Sequence, residues 1–173
     1  MTLCATLAEF KAHLNYSGSA DDSELTVFLT AGSDLLERLM GGPLDVQTFT
    51  EYPNICGEFY APRKRPLVAV TSMTPYRGSA LATTAYVVDT TASVIRIING
   101  PTGLYTVVYT AGLATISDRV KLAGLIIGQH LWRTQRGGSR PSASDEVLLP
   151  GMGFAIPRRA LDLLGHDTVA GIA

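Results

Sequence analysis

The sequence predicts an α+β fold in which a helical core carries an inserted antiparallel β meander. Three observations support this fold class. Apolar residues recur at helical spacing before residue 41 and after residue 117, the period changes to two between residues 46 and 110, and glycine and proline separate the segments. The length of 173 residues predicts a single domain over residues 1–173, with the insertion at about 46–110.

Two N-terminal helices are predicted from their first residues. Thr6 and Glu9 have the spacing of a capping box, which predicts a short helix ending near Leu14. A second, longer helix begins near Asp21, and a Gly-Gly-Pro sequence at residues 41–43 ends it. Three acidic residues at its start suit the positive end of the helix dipole, so we assign them a structural role.

Five strands are predicted where apolar and polar residues alternate. They cover residues 46–52, 67–73, 85–88, 94–98 and 104–110. The last two flank an Asn-Gly-Pro-Thr-Gly sequence that is typical of a turn, so we expect them to pair as a hairpin. Tyr105 and Tyr109 share a face of the last strand. Packing is the more frequent role of such aromatic residues, and an interaction surface is the alternative.

A long central helix is predicted from residue 117 or 118 to residue 136, and its apolar residues lie on nearly all sides. A helix of this kind must be enclosed. The whole chain is 46% hydrophobic and only 17% charged, compared with about 25% charged in average soluble domains. We therefore expect part of the apolar surface to be covered by other subunits.

The charges are unevenly distributed along a chain whose net charge is −1. Residues 1–60 hold two basic and nine acidic residues, whereas residues 119–159 hold seven basic and two acidic residues. Regions of opposite sign suit a head-to-tail ring, and an internally neutralised monomer is the alternative.

No catalytic, metal or nucleotide motif occurs in the sequence. It has no GxSxG pentad, no GxxxxGK[ST] or GxGxxG loop, and no carboxylate or cysteine at ligand spacing from its three histidines. Cys4 and Cys56 show no metal spacing, and we expect free thiols in a reducing compartment. No apolar run approaches the roughly 20 residues of a membrane span. The sequence therefore predicts no enzyme activity, no cofactor and no membrane insertion.

Two further segments are candidates for binding. Residues 137–156 are rich in glycine and proline, and the segment is longer than most loops, which favours a flexible arm that docks on a partner. A last helix is predicted at residues 157–165. Arg63, Lys64 and Arg65 lie between two prolines, where they contact DNA phosphates or a partner, or are simply solvated.

Several stretches, taken in order, resemble the bacteriophage head-tail connectors, or head completion adaptors. They are residues 7–14, 21–25, 31–38, 66–73, 107–112, 120–123 and 129–133, and together they cover most of residues 3–136. The best-known connectors are almost wholly helical. This chain departs from them in its predicted sheet and in the long segment after residue 136.

The resemblance implies a structural virion protein, present in the host cytoplasm during assembly, that forms a ring, commonly dodecameric, beneath the portal. Such a ring extends the DNA channel, helps retain packaged DNA, and presents a platform to the next connector protein or the tail. The implied subunit interface comprises Val120, Leu122, Leu125, Ile126, Trp132, Arg133 and Arg136. The implied portal-docking loop comprises Arg140, Val147, Leu148, Leu149, Met152 and Phe154.

The arginines after residue 132 have two possible roles under this resemblance. Arg133, Arg136 and Arg140 either face the channel and contact DNA phosphates, or pair with the acidic second helix of the next protomer. We favour the second role, because a channel that releases DNA should not hold it tightly.

Two other classes of function are alternatives. A small DNA-binding or packaging-associated protein would use Arg63, Lys64 and Arg65 together with the later arginines, and would bind duplex DNA with a steep salt dependence. A small-molecule-binding domain would need convergent polar groups in an apolar pocket, and the sequence shows no such cluster.

Overall fold

The computed structural model describes residues 2–135 and 155–165 of the protein, together with the backbone of residues 146–148. The chain divides into two compact units. One consists of residues 1–39 and 116–173 and is called the helical unit here, and the other consists of residues 40–115 and is called the β unit. The β unit contains the predicted insertion at 46–110, and the α+β fold class is confirmed. The assignment of residues 1–173 to one domain stays a prediction.

Four helices and nine strands follow one another along the described chain. They are α1 (Leu7–Leu14), α2 (Asp22–Met40), β1 (Gln47–Glu51), β2 (Asn54–Ile55), β3 (Phe59–Tyr60), β4 (Leu67–Pro75), β5 (Tyr86–Asp89), β6 (Val94–Ile97), β7 (Gly103–Ala111), α3 (Asp118–Gln135), β8 (Glu146–Leu148), β9 (Ala155–Pro157) and α4 (Arg158–Leu164). No helix in the described part of the chain is both long enough and apolar enough to cross a membrane.

The helix ends follow the capping residues seen in the sequence. The Thr6 hydroxyl accepts a hydrogen bond from the backbone N–H of Glu9, and the Glu9 carboxylate accepts one from the backbone N–H of Thr6, so the predicted capping box is confirmed. Gly41 follows α2 at a φ of 73°, a left-handed conformation that glycine adopts without strain. Gly165 ends α4 in the same way.

The two long helices pack closely through three glycines. A Cβ atom on Gly32 of α2 would lie 3.1 Å from the backbone nitrogen of Gly128 of α3 and 3.3 Å from the carbonyl oxygen of Gly124. A Cβ on Gly124 would in turn lie 2.4 Å from the Cys4 sulfur. Small residues at these positions let α2 and the N-terminal segment lie directly against α3.

The core of the helical unit is made of apolar side chains from all four helices and β9. Its fully buried members include Phe10, Leu25, Leu29, Leu36, Ile127, Ile156 and Leu161. Ser33 is the one buried polar residue among the described residues of this unit, and its hydroxyl accepts the N–H of Cys4 while donating to the carbonyl of Leu29. Both polar groups are thus satisfied inside the core.

Strand β7 is the centre of the larger sheet in the β unit. Its one edge pairs with β1 and then β2, and its other edge pairs with β4, all antiparallel. Alternate residues of β7 are buried, among them Tyr105 and Tyr109, whose packing role is confirmed. A second sheet has the order β3-β6-β5. Ile95 and Ile97 of β6 belong to the same apolar core as the two tyrosines.

The predicted hairpin between the last two strands is wrong. Strand β6 pairs with β3 and β5, whereas β7 pairs with β1, β2 and β4, so the 99–103 segment connects two different sheets. Glycine and proline indicate that the chain changes direction, but they do not specify the next partner. Tyr105 instead donates its backbone N–H to Pro53 and its hydroxyl to Pro101, which holds the start of β7 beside β2.

Two short strands also lie in the segment predicted as a flexible loop. Glu146–Leu148 and Ala155–Pro157 pair antiparallel, with Val147 opposite Ile156 and Leu148 opposite Ala155. The expectation of a stretch without secondary structure from residue 137 to residue 156 is therefore wrong at these two places. Three-residue strands are too short to produce a clear period of two in the sequence.

Candidate interaction surfaces

The predicted subunit interface on α3 divides into two groups. Val120 and Leu125 are buried in the described structure, whereas Leu122, Ile126 and Trp132 are half-buried and Arg133 is exposed. Arg136 lies outside the described residues. The three half-buried apolar side chains and Arg133 are therefore the members that retain surface for a neighbouring subunit, and their role stays a prediction.

Most of the predicted portal-docking loop lies outside the described residues. Arg140, Leu149, Met152 and Phe154 lie outside the described residues, and for Val147 and Leu148 the description is limited to the backbone of β8. The docking role of this loop stays a prediction.

The predicted basic patch is a turn whose backbone is held at three consecutive positions. The N–H of Arg63 donates to the Glu51 carboxylate at 3.2 Å, the N–H of Lys64 donates to the Tyr109 hydroxyl at 3.2 Å, and the N–H of Arg65 donates to the carbonyl of Gly41 at 3.1 Å. All three side chains are exposed. None of them lies within 4.0 Å of a carboxylate in the described part of the protein. We call residues 63–65 the basic turn.

Glu51 is the residue that fixes the basic turn to the sheet. Its carboxylate accepts hydrogen bonds from the hydroxyls of Tyr60 and Tyr109 as well as from Arg63. Burial raises the pKa of both tyrosines, and the Glu51 carboxylate raises it further. Both phenols therefore keep the protons that they donate to Glu51. This residue was missed in the sequence, because β1 and β7 are far apart along the chain.

A glycine makes room for the other side of the basic turn. A Cβ on Gly42 would lie only 1.6 Å from the carbonyl oxygen of Arg65. Any other residue at position 42 must therefore move the turn. The Gly-Gly-Pro sequence thus has a second role besides ending α2.

Two ion pairs connect helices within the helical unit. Lys121 of α3 contacts Glu9 of α1 at 2.7 Å, and Lys11 of α1 contacts Asp22 of α2 at 2.6 Å. The hydrogen bond from Lys121, followed by those from Thr6, lowers the pKa of Glu9 to about 2. Asp22 is thus used in packing, in agreement with its predicted structural role. Part of the acidic charge of residues 1–60 is neutralised inside the same unit.

Among the described residues, exposed apolar side chains are concentrated in the β unit, and no pattern in the sequence indicates this. Eight of the ten large exposed hydrophobic residues in the described structure belong to residues 40–115. Phe59 is 66% exposed and Val87 is 53% exposed, and both line a shallow pocket of about 510 Å³ on the β3-β6-β5 sheet. Arg96, paired with Glu58, lies over the Phe59 ring at 5.7 Å.

No arrangement suited to metal chemistry occurs among the described residues, where no three His, Cys, Asp or Glu side chains are grouped to hold an ion. Cys4 is buried and Cys56 is exposed, and both are free thiols. A polar pocket of about 580 Å³ is lined by residues that include Glu51, Tyr60 and Arg63. In the described structure these groups are engaged in holding the basic turn.

Comparison with solved structures shows the same fold in three assemblies. A chain from the neck of an empty gene transfer agent particle, computed with C6 symmetry, matches 94% of this chain and 88% of its own length, with a TM-score of 0.61 and 17% identity. A chain from the virion of the native particle matches 81% and 84%, with a TM-score of 0.62 and 18% identity. A chain from the native neck, computed with C12 symmetry, matches 79% and 81%, with a TM-score of 0.59 and 18% identity.

A search of curated proteins found no match. A family model described as head completion protein matches residues 4–142, which is most of the chain and includes both the helical unit up to α3 and the whole β unit. The resemblance to head completion adaptors predicted from the sequence is thereby confirmed. The chain belongs to the head completion protein family, and its role is that of a structural head-tail connector protein of the virion.

Proposed function

We propose that this protein is a ring-forming adaptor between the portal and the next connector protein or the tail. The match of residues 4–142 to the head completion protein family is the observation that carries the proposal. The similar chains belong to particle necks computed with C6 and C12 symmetry, which supports a ring of twelve copies. The ring extends the DNA channel and helps retain packaged DNA. This role is structural and requires neither an enzymatic activity nor a cofactor.

The contact between copies in this proposal includes the accessible part of α3. Leu122, Ile126 and Trp132 supply apolar surface, and Arg133 supplies an exposed cation without a carboxylate partner in the described structure. The complementary surface is the outer face of α2 on the next protomer, where Val27 and Asp34 are exposed. An arginine and an aspartate at such a contact fix the relative position of the two protomers and the choice of partner more than they increase the affinity.

The mass of the purified protein in solution, with and without the assembled portal of the same virus, tests the proposal. We expect a mass that reaches ring stoichiometry on the portal, measured by light scattering after size exclusion. A monomer or dimer that does not bind the portal contradicts the adaptor role and favours the DNA-binding class of function.

Two arginines of α3 provide a matched pair for testing the contact between copies. Arg133→Glu reverses a charge in the proposed contact, whereas Arg119→Glu makes the same change at the other end of the helix, where Arg119 is also exposed. We expect the first variant to reduce the fraction of protein found as rings and the second to leave it unchanged. Equal losses in both variants contradict the proposed position of Arg133.

The portal-docking role of residues 137–154 is tested by deleting them. The deletion removes β8, the partner of β9, but the buried side chains of the described residues lie outside it, so we expect the shortened protein to fold and to lose binding to the portal. Circular dichroism and size exclusion establish the folded state. A folded deletion variant that still binds the portal rules out this segment as the docking arm.

A further inference from the structure

The basic turn has the properties of a preformed site for phosphate groups. Three consecutive cationic side chains are exposed, and none has a carboxylate within 4.0 Å in the described structure. Three consecutive backbone N–H groups are used to hold the turn in place. The backbone therefore needs little further ordering when a ligand binds, and this lowers the entropic cost of binding.

We propose that the basic turn, Arg63 to Arg65, contacts the phosphate backbone of duplex DNA without reading its sequence. This inference rests on the proposed function, which places the protein around the DNA channel. Three residues of extended chain span at most about 7 Å between the first and the last Cα atom. One DNA strand carries a phosphate about every 3.4 Å along its axis, so a span of about 7 Å covers two such steps and the turn faces up to three successive phosphates.

The chemistry of the turn favours a nucleic acid over a protein partner. Protein interfaces are enriched in arginine but depleted in lysine and in charge at their centre, whereas this turn concentrates three of the five cations found in residues 40–115, one of them a lysine. Arginine also binds phosphate through two parallel hydrogen bonds. Tyr52, which is 74% exposed, and Asn54 line the same pocket as Arg63 and provide further polar groups at the edge of the turn.

In a ring, many copies of the same weak contact together keep DNA centred in the channel. One turn neutralises at most three phosphates, so a single copy binds DNA weakly and releases it quickly. A ring of copies presents the same turn many times at a fixed spacing, which centres DNA without holding it at any one position. This arrangement agrees with a channel that must both retain and release DNA.

A titration of the full-length protein with a 12-base-pair duplex tests the proposal. Amide shifts in an NMR spectrum locate the contact, and repeated titrations between 50 and 150 mM KCl measure its salt dependence. The triple variant Arg63→Gln, Lys64→Gln, Arg65→Gln should lose the shifts at the turn. Three phosphate contacts predict a logarithmic salt slope of about −2.7, which is about a 20-fold loss of affinity over this range.

A second triple variant serves as the matched control. Arg119→Gln, Arg158→Gln and Arg159→Gln removes the same charge from three exposed arginines of the helical unit. The control should bind the duplex like the unaltered protein. Equal loss of binding in both variants, or no amide shift at residues 63–65 in the unaltered protein at 50 mM KCl, overturns the proposal.

A titration with a ten-residue polyglutamate peptide tests whether the turn prefers DNA to an acidic protein partner. If the peptide binds the turn as tightly as the duplex and with the same salt slope, the turn is a general anion site and the DNA assignment is wrong. The outcome is independent of ring formation. A protein that forms rings on the portal but fails this titration keeps its adaptor role, and one that binds DNA but forms no ring loses that role.

Glu51 is a positioning residue in this proposal, and its test separates geometry from charge. Glu51→Gln removes a negative charge near the turn, so charge alone predicts tighter DNA binding. Glutamine offers only one acceptor oxygen, so one of the hydrogen bonds from Tyr60 or Tyr109 is lost. We expect weaker binding of the duplex in this variant. Unchanged or tighter binding overturns the positioning role, and the other amide signals of the β unit report that the variant is folded.

Discussion

Replacing Gly32 with alanine should lower the free energy of unfolding of the helical unit by about 1 kcal/mol. The added Cβ lies 3.1 Å from the backbone nitrogen and 3.2 Å from the Cα of Gly128, and these backbone atoms move only if α2 and α3 separate. Overpacking of this kind costs about 1–3 kcal/mol. Alanine in the middle of a helix recovers about 1 kcal/mol relative to glycine. The difference between the two effects gives the expected net loss.

Urea unfolding followed by the fluorescence of Trp132, the single tryptophan of the chain, measures this effect on α3. The neighbouring variant Ala31→Gly is the control, since it measures helix propensity in the same helix, at a residue adjacent to the crossing. We expect a loss of about 1 kcal/mol in the control as well. If Gly32→Ala instead stabilises the protein by as much as the control destabilises it, the close approach has no energetic consequence and the reasoning is refuted.

Three other predictions concern single residues. The pKa of Glu9 is lowered from its ordinary value of 4.5 to about 2 in the folded protein, so its contribution to stability is present above pH 4.5 and disappears as the pH falls toward 2. Urea unfolding at a series of pH values should therefore show Glu9→Gln less stable than the unaltered protein near neutral pH and equally stable near pH 2. A maleimide should react at once with the exposed Cys56 but with Cys4 only after unfolding, because Cys4 is buried and burial raises the pKa of its thiol. Mass spectrometry of the labelled peptides measures the two reactions. Gly42→Ala should displace the basic turn, because the added Cβ lies 1.6 Å from the Arg65 carbonyl oxygen, and an NMR spectrum that leaves the amide signals of the turn unchanged would contradict this.

The helices were predictable because their signals are local. A capping box at Thr6 and a glycine at residue 41 act on residues within one or two turns of themselves, so a single stretch of sequence contains both the cause and the result. Strand positions were predictable for the same reason, since alternation is also a local pattern. The bounds of the five expected strands differ from the observed ones by no more than two residues.

Strand pairing and the anchoring of the basic turn were not predictable, because both depend on residues far apart in the chain. Strand β7 pairs with β1, which lies about 60 residues earlier, and this pairing brings Glu51 to Tyr109. Neither residue has a neighbour in sequence that indicates the contact. The strands β2 and β3 were missed because two residues are too few to show an alternation of apolar and polar side chains.

The location of exposed apolar surface changes the argument for assembly that the composition suggested. A helix apolar on all sides was expected to need a neighbouring subunit, but Gly124 and Gly128 allow α2 and the segment around Cys4 to pack against α3 closely enough to bury much of it. Among the residues that the structure describes, the exposed apolar surface lies largely in the β unit, on side chains such as Phe59 and Val87. A monomeric protein rarely exposes a large contiguous apolar patch without a partner. The low charge content of the chain predicts that apolar surface still exposed after folding is covered by other subunits. Variants made to disrupt ring assembly should therefore include changes on the β3-β6-β5 sheet as well as on α3.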